Sequence, residues 1–107
     1  MNTIQVRVPK AIEQLVEGEQ DRLLRVALRM AAKTRAKELT QAQREASANV
    51  RRLEKKYGMT FNAFEKKLGA MNTAQAHEDY NDWFFWLNVL ERVQNARAAM
   101  AKLASTT

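Results

Sequence analysis

The sequence predicts a mostly α-helical protein that begins with one short β-strand and forms a homodimer. Only three Gly and one Pro interrupt the 107 residues, so long helices without breaks are expected. Ala, Leu, Glu, Lys, Arg, Gln and Met, the strongest helix formers, dominate the composition. Residues 3–8 instead alternate between polar and apolar side chains, which is the pattern of a half-buried strand.

The predicted strand has two chemically different sides. Its apolar side is Ile4, Val6 and Val8, and its polar side is Thr3, Gln5 and Arg7. A lone strand is not stable in water, and the chain offers no second candidate. We therefore expect the strand to pair with the same strand of a second copy.

A long helix is expected in the middle of the chain. Residues 10–17 are predicted to form a short helix closed by Gly18, and the long helix then runs from near residues 19–21 to Gly58. Its apolar residues recur every three or four positions, which predicts one face that packs on another helix. They are Leu24, Leu28, Ala31, Ala32, Leu39, Ala42, Ala46, Val50, Leu53 and Tyr57.

The C-terminal half is predicted to form a helical hairpin. Thr60 is the expected N-cap of a short helix that Gly69 ends. Residues 70–82 are predicted to be a polar loop, and the last helix then begins with four consecutive aromatic residues. The sequence thus divides into residues 1–57, for dimerisation and DNA binding, and residues 58–107, for binding a partner protein.

Positive charge is concentrated in the middle of the chain. Residues 22–56 contain eleven basic residues and three acidic ones, whereas residues 70–107 contain three basic and four acidic. Such an excess indicates a polyanion or an acidic protein surface as the partner. The alternative is a solvated helix face that serves only solubility.

Catalytic chemistry is not expected. The chain has one histidine, His77, and no cysteine, so a transition-metal site is not predicted. No phosphate-binding glycine loop or nucleophile motif is present. We expect neither an enzyme nor a cofactor. The N-terminus lacks a signal-peptide core and no run is long enough to span a membrane, which predicts a soluble cytoplasmic protein.

The polar side of the predicted strand has the residue types that read DNA bases. Arg suits guanine, Gln suits adenine, and Thr suits either or a thymine methyl. The candidate DNA-binding residues are Thr3, Gln5, Arg7, Lys10, Arg22 and Arg25, of which the last three would hold phosphates. Alternatively, the strand only joins two subunits and its polar side is solvated.

The opening segment resembles a known family. The run from Thr3 to Lys10, followed by Ala11, Ile12 and Leu15, is similar to the start of ribbon-helix-helix antitoxins and repressors. That resemblance implies a dimer that binds operator DNA through Thr3, Gln5 and Arg7, with a C-terminal extension that folds onto a toxin. Residues 56–61, with Phe64 and Glu65, also resemble small prokaryotic proteins of toxin–antitoxin gene pairs.

The aromatic residues indicate a protein partner. Four consecutive large residues span a full helical turn, so they do not all face one core. Aromatic residues are also enriched at binding hot spots. The candidate partner-binding residues are Tyr57, Phe61, Phe64, Trp83, Phe84, Phe85 and Trp86. The alternative is that most of them pack on the long helix while Phe85 fills a groove between two copies.

Two functions are therefore predicted. The first is an antitoxin-like, DNA-binding autoregulator that neutralises a small toxin-like protein by covering it. The second is a helical coiled-coil assembly or adaptor protein without a nucleic-acid role.

Overall fold

The computed structural model describes residues 3–106, which fold into an elongated helical body of 67 × 24 × 22 Å. Its elements are a 3₁₀ helix at Lys10–Gln14, α1 at Glu17–Tyr57, α2 at Phe61–Met71 and α3 at Ala74–Thr106. No strand occurs in this range, so the predicted strand-plus-helix fold is wrong. Residues 3–8 are exposed and have no regular secondary structure, since alternation alone supplies no hydrogen-bonded neighbour.

Helix α1 is longer than the sequence predicts at its N-terminal end. It begins at Glu17 and continues through Gly18, so the prediction that Gly18 closes a separate helix is wrong. Glu17 and Glu19 lie in the first turn, where acidic side chains complement the helix dipole. The predicted end at Gly58 is confirmed. This glycine has φ of 64°, and its N–H donates to the Glu54 carbonyl at 2.8 Å.

Helix α2 begins as predicted and ends later. The Thr60 side chain accepts a hydrogen bond from the Ala63 N–H at 3.3 Å, which confirms it as the N-cap. Gly69 lies inside the helix, which ends at Asn72 in the left-handed conformation with φ of 36°. Asparagine tolerates this conformation better than most residues do.

Helix α3 occupies most of the segment that was predicted to be a loop. It begins at Ala74, and the Thr73 hydroxyl accepts from the Ala76 N–H at 3.1 Å. Most of the polar residues that suggested a loop are exposed on the solvent side of this helix, and Asp79 is buried against α1. The predicted C-terminal hairpin is also wrong, because α3 packs mainly on α1, and α2 connects the two.

The contact between α1 and α3, called the seam below, is antiparallel. Residues further along α1 pair with residues earlier on α3: Gln43 contacts Arg97, Arg52 contacts Asp82, and Lys56 contacts Asp79. Five residues of α1 are buried in the seam, and four of them recur at every seventh position, which is the spacing of a coiled coil. The four are Ala32, Leu39, Ala46 and Leu53, and the fifth is Val50.

The largest side chains are buried at the end of the seam where α2 packs, in what is called the aromatic core. Trp83, Phe64 and Leu53 are fully buried there. The Tyr57 ring packs edge-on against Phe64, with centroids 4.3 Å apart, and Phe61 packs edge-on against Trp83 at 5.5 Å. Such pairs contribute about 0.5–1.5 kcal/mol each beyond area burial. The aromatic core therefore holds all three helices together.

The aromatic core should dominate the stability of the fold. We expect Phe64→Ala to lower the free energy of unfolding by about 3–5 kcal/mol, because it opens a cavity that α2 and α3 cannot fill. Phe85, 53% exposed, gives a matched control, and Phe85→Ala should cost less than about 1.5 kcal/mol. Chemical denaturation followed by circular dichroism measures both, and equal losses would contradict this role of the core.

Candidate interaction surfaces

The most exposed apolar surface lies at the N-terminal end, in residues 3–30, called the arm below. Nine of the twelve large hydrophobic residues that are exposed in the described range belong to the arm. They are Ile4, Val6, Val8, Leu15, Val16, Leu23, Leu24, Leu28 and Met30. An apolar cluster of this kind marks an interaction site far more often than isolated surface hydrophobes do.

The arm is uncovered because α1 is longer than its packing partner. Helix α1 has 41 residues and α3 has 33. Met100 and Leu103 of α3 line the same shallow cavity as Leu28 and Ala32 of α1. Because α3 continues only three residues beyond Leu103, the first turns of α1 extend past it. Leu28 lies on the predicted packing face, but Leu24 and Leu28 remain 42% and 53% exposed, because this end of the seam covers little of either side chain.

The start of the arm is attached to α1 by one side chain. The Gln20 Nε2 donates to the carbonyls of Ile12 at 2.9 Å and Leu15 at 3.0 Å. These bonds fold the 3₁₀ helix back onto the first turns of α1. The arm thereby brings apolar residues from both elements to one end of the molecule.

The six predicted DNA-binding residues all lie in the arm and are exposed. Thr3, Gln5 and Arg7 precede the 3₁₀ helix and Lys10 begins it, while Arg22 and Arg25 lie on α1. Arg25 is paired with Asp21 at 3.1 Å in an exposed contact within the helix. The described structure brings these residues to one end of the chain but into no common groove, and their DNA-binding role stays a prediction.

The predicted partner-binding aromatic residues fall into two groups. Phe64 and Trp83 are fully buried, and Tyr57, Phe61 and Trp86 are half-buried around them. Phe84 and Phe85 are each 53% exposed. Only these last two offer substantial surface to another molecule while the chain is folded.

A buried carboxylate links α1 to α3 beside the aromatic core. Asp79 is 6% exposed and accepts hydrogen bonds from Lys56 Nζ at 2.6 Å, from Gln75 Nε2 at 3.0 Å and from the Tyr57 hydroxyl. Burial raises the pKa of Asp79, but these hydrogen bonds and the Lys56 charge outweigh it, so the pKa is lowered. Burial, with the hydrogen bond and charge of Asp79, raises the pKa of Tyr57 to about 12.

A second surface, called the basic stripe below, follows α1 behind the seam. It consists of Lys33, Lys37, Arg44, Arg51 and Lys55, all exposed. Their intervals of four, seven, seven and four residues keep the five cations on one helix face over about 33 Å. Within residues 3–106 none of the five forms an ion pair or hydrogen bond. The sequence analysis found the excess of positive charge but not the stripe. The intervals of four and seven residues between these cations are the signal that would have identified it.

The described residues contain no group of three or more His, Cys, Asp or Glu side chains that could hold a metal ion. In the same range, no helix is long and apolar enough to cross a bilayer. Comparison of the chain with protein-family models, with curated proteins and with solved structures gives no match. The arm and the basic stripe are therefore assessed from their own chemistry.

The Tyr57–Asp79 contact should make stability depend on alkaline pH. Because the folded pKa of Tyr57 is raised to about 12 from 10.0, its contribution is complete below pH 10 and is lost as pH rises towards 12. We expect the free energy of unfolding of the wild type to fall over this window more steeply than that of Tyr57→Phe. Urea denaturation at pH 9, 10 and 11 measures this free energy for both proteins. An equal decrease with pH in the wild type and in Tyr57→Phe would contradict the contact.

Proposed function

We propose that this chain is a self-associating helical scaffold protein, which joins a second copy of itself through the arm. The supporting observation is the exposed apolar surface of residues 3–30, most of which the helices in the described part of the chain leave uncovered. Helices that are apolar on one side gain most of their stability from packing that side on another element. The hairpin of α1 and α3 would then form the rigid body of each subunit.

Most of the apolar face of the arm is turned away from α3, and only its Leu28 edge lies beside Met100 and Leu103. Leu23, Leu24, Ala27, Leu28 and Met30 lie within about 160° of one another at 100° per residue. The centre of this face is roughly 110° around α1 from the seam. A longer α3 would therefore not cover Leu23 or Met30. A helix from another chain is needed.

Charge in the arm favours a second copy over a chemically different partner. Residues 3–30 contain five basic and four acidic residues, whereas residues 31–57 contain eight basic and three acidic. Two arms can meet without net repulsion, while two stretches of the basic middle cannot. The arm, and not the basic middle of α1, therefore suits a contact between identical chains.

Asp21 and Arg25 indicate how two arms would be arranged. They lie one turn apart on the same flank of the apolar face and bond to each other at 3.1 Å. In an antiparallel pair with its two-fold axis near Leu23, Asp21 of one copy lies beside Arg25 of the other. Because such a contact is two-fold symmetric, the Asp21–Arg25 pair forms twice, once from each copy. The pairs add specificity, and the leucines add most of the affinity.

The first prediction for this function concerns oligomeric state. We expect the wild type to sediment as a dimer at micromolar concentration and the double variant Leu24→Glu, Met30→Glu to sediment as a monomer. Phe85→Glu is the matched control, because the exposed fraction of Phe85, 53%, lies between those of Leu24 and Met30, 42% and 63%, and Phe85 is outside the arm. It should stay dimeric. A wild type that remains monomeric up to millimolar concentration would rule out the proposal.

A charge exchange tests the antiparallel arrangement. In Asp21→Arg both residues of the flank are positive, and in Arg25→Glu both are negative. Two copies of either variant would repel each other there, so each variant alone should dimerise more weakly than the wild type. Mixing the two should form heterodimers, because each positive flank then meets a negative one. Native mass spectrometry counts the species. A statistical mixture of dimers would contradict antiparallel pairing through this flank.

The antitoxin-like function is a second candidate, supported by the exposure of Thr3, Gln5 and Arg7 and of Phe84 and Phe85. If Arg7 reads a base, Arg7→Ala should weaken binding to an operator by about 1–3 kcal/mol and spare random DNA. A gel shift with competitor DNA, using the promoter of the chain's own gene, measures this. Equal loss on both DNAs would mean that Arg7 contributes charge alone.

A further inference from the structure

The middle of the basic stripe borders a groove that has the composition of a phosphate site. The groove is lined by Thr40, Gln43, Arg44, Ser47, Arg51 and Arg97, and has a volume of about 250 Å³. Three of these residues are arginines and none is acidic. The stripe therefore continues across the seam onto α3 at this point.

Arg97 is held in this groove by a specific contact. Its Nη1 donates to the Gln43 Oε1 at 2.5 Å across the seam, and the neutral amide leaves the guanidinium charge uncompensated. A guanidinium fixed in place loses less freedom when it binds an oxyanion, and its planar fork suits phosphate oxygens. Arg44 and Arg51, which belong to the stripe, supply two further guanidinium groups to the groove.

The acidic residues in this part of α1 lie beside the stripe and not on it. Glu38 and Glu45 lie roughly 100–120° around the helix from the centre of the stripe, and Glu54 lies roughly 80° from it on the other side. Glu38 is also occupied by Arg35 at 2.7 Å. On the other flank of the seam, Arg52 and Lys56 are paired with Asp82 and Asp79. The chain thus pairs the cations on one side of α1 and leaves those of the stripe unpaired.

We infer that the basic stripe, with the arginine groove, binds the phosphate backbone of a nucleic-acid duplex. The stripe is straight and spans about 33 Å, more than three times the Debye length at physiological salt. Only a partner with charge along its whole length neutralises all five cations together. A duplex carries about one phosphate charge per 1.7 Å of its axis. An acidic protein surface seldom offers carboxylates in such a line.

This site is separate from the arm. The apolar face of the arm lies roughly 120° around α1 from the stripe. Two copies joined through their arms therefore leave both stripes uncovered. Duplex binding requires no base reading, because phosphate contacts fix position without specifying sequence.

The test measures binding of the full-length chain to a fluorescent 24-base-pair duplex by anisotropy, with DNA and RNA versions of one sequence. We expect the triple variant Lys37→Gln, Arg44→Gln, Arg51→Gln to bind about tenfold more weakly or worse at 0.1 M salt. Its salt slope should also flatten, by about 0.9 per lost phosphate contact on DNA. Weaker binding of the variant to either duplex supports the site. Comparison of the DNA and RNA affinities shows which nucleic acid the site prefers.

The matched control removes the same charge elsewhere. Lys66, Lys67 and Arg92 are exposed residues of α2 and α3, and changing all three to Gln should alter affinity by less than about twofold if the contact is local. Circular dichroism confirms that both variants fold. Equal weakening by the two triple variants would overturn the proposal, as would a wild type that binds neither duplex.

Polyglutamate at matched charge concentration separates a duplex site from an acidic-protein site. Displacement of the duplex by polyglutamate as readily as by unlabelled duplex would overturn the proposal and favour a protein partner. Displacement by unlabelled duplex alone supports it.

Discussion

Burial of Trp83, Phe64 and Leu53 beside α2 is the interaction on which the rest of the structure depends. These side chains are fully buried, and they fix the point from which α1 and α3 run side by side. Away from this point the buried seam residues of α1 are Val50, Ala46, Leu39 and Ala32. Alanines allow close approach but bury little area, so the seam should be weaker towards the arm than at the aromatic core. The hairpin is thus held most firmly at one end.

That asymmetry explains the two surfaces. At the weak end, α1 continues past α3 and its leucines stay largely exposed in the described structure, which is the observation behind the proposed contact with a second copy. Along the middle, the seam uses one face of α1 and the stripe another. The cations near Asp79 and Asp82 are paired, whereas those of the stripe are not. In the proposed account, one helix serves the core, self-association and polyanion binding through three separate faces.

Much of the helical content could be predicted from the sequence, and the partners of each element could not. The scarcity of breakers predicted α1, and Thr60 and Gly58 marked ends that the structure confirms. Gly18 and Gly69 failed as ends because the helical turns on either side outweigh the modest cost of one glycine in a helix. The alternation at residues 3–8 failed because a strand needs a hydrogen-bonded neighbour. The charge totals indicated a polyanion partner. Only the structure shows which cations of α1 pair with carboxylates of α3 and which do not.

The central claim is that the arm needs a second copy to be covered. Hydrogen exchange read by mass spectrometry at low and high protein concentration tests it most directly. The account predicts that amides of residues 17–27 exchange much faster than those of residues 39–57 in dilute solution, and become protected as concentration rises. Protection of residues 17–27 that is equally strong at every concentration would contradict it, because the arm would then be stable within a single chain.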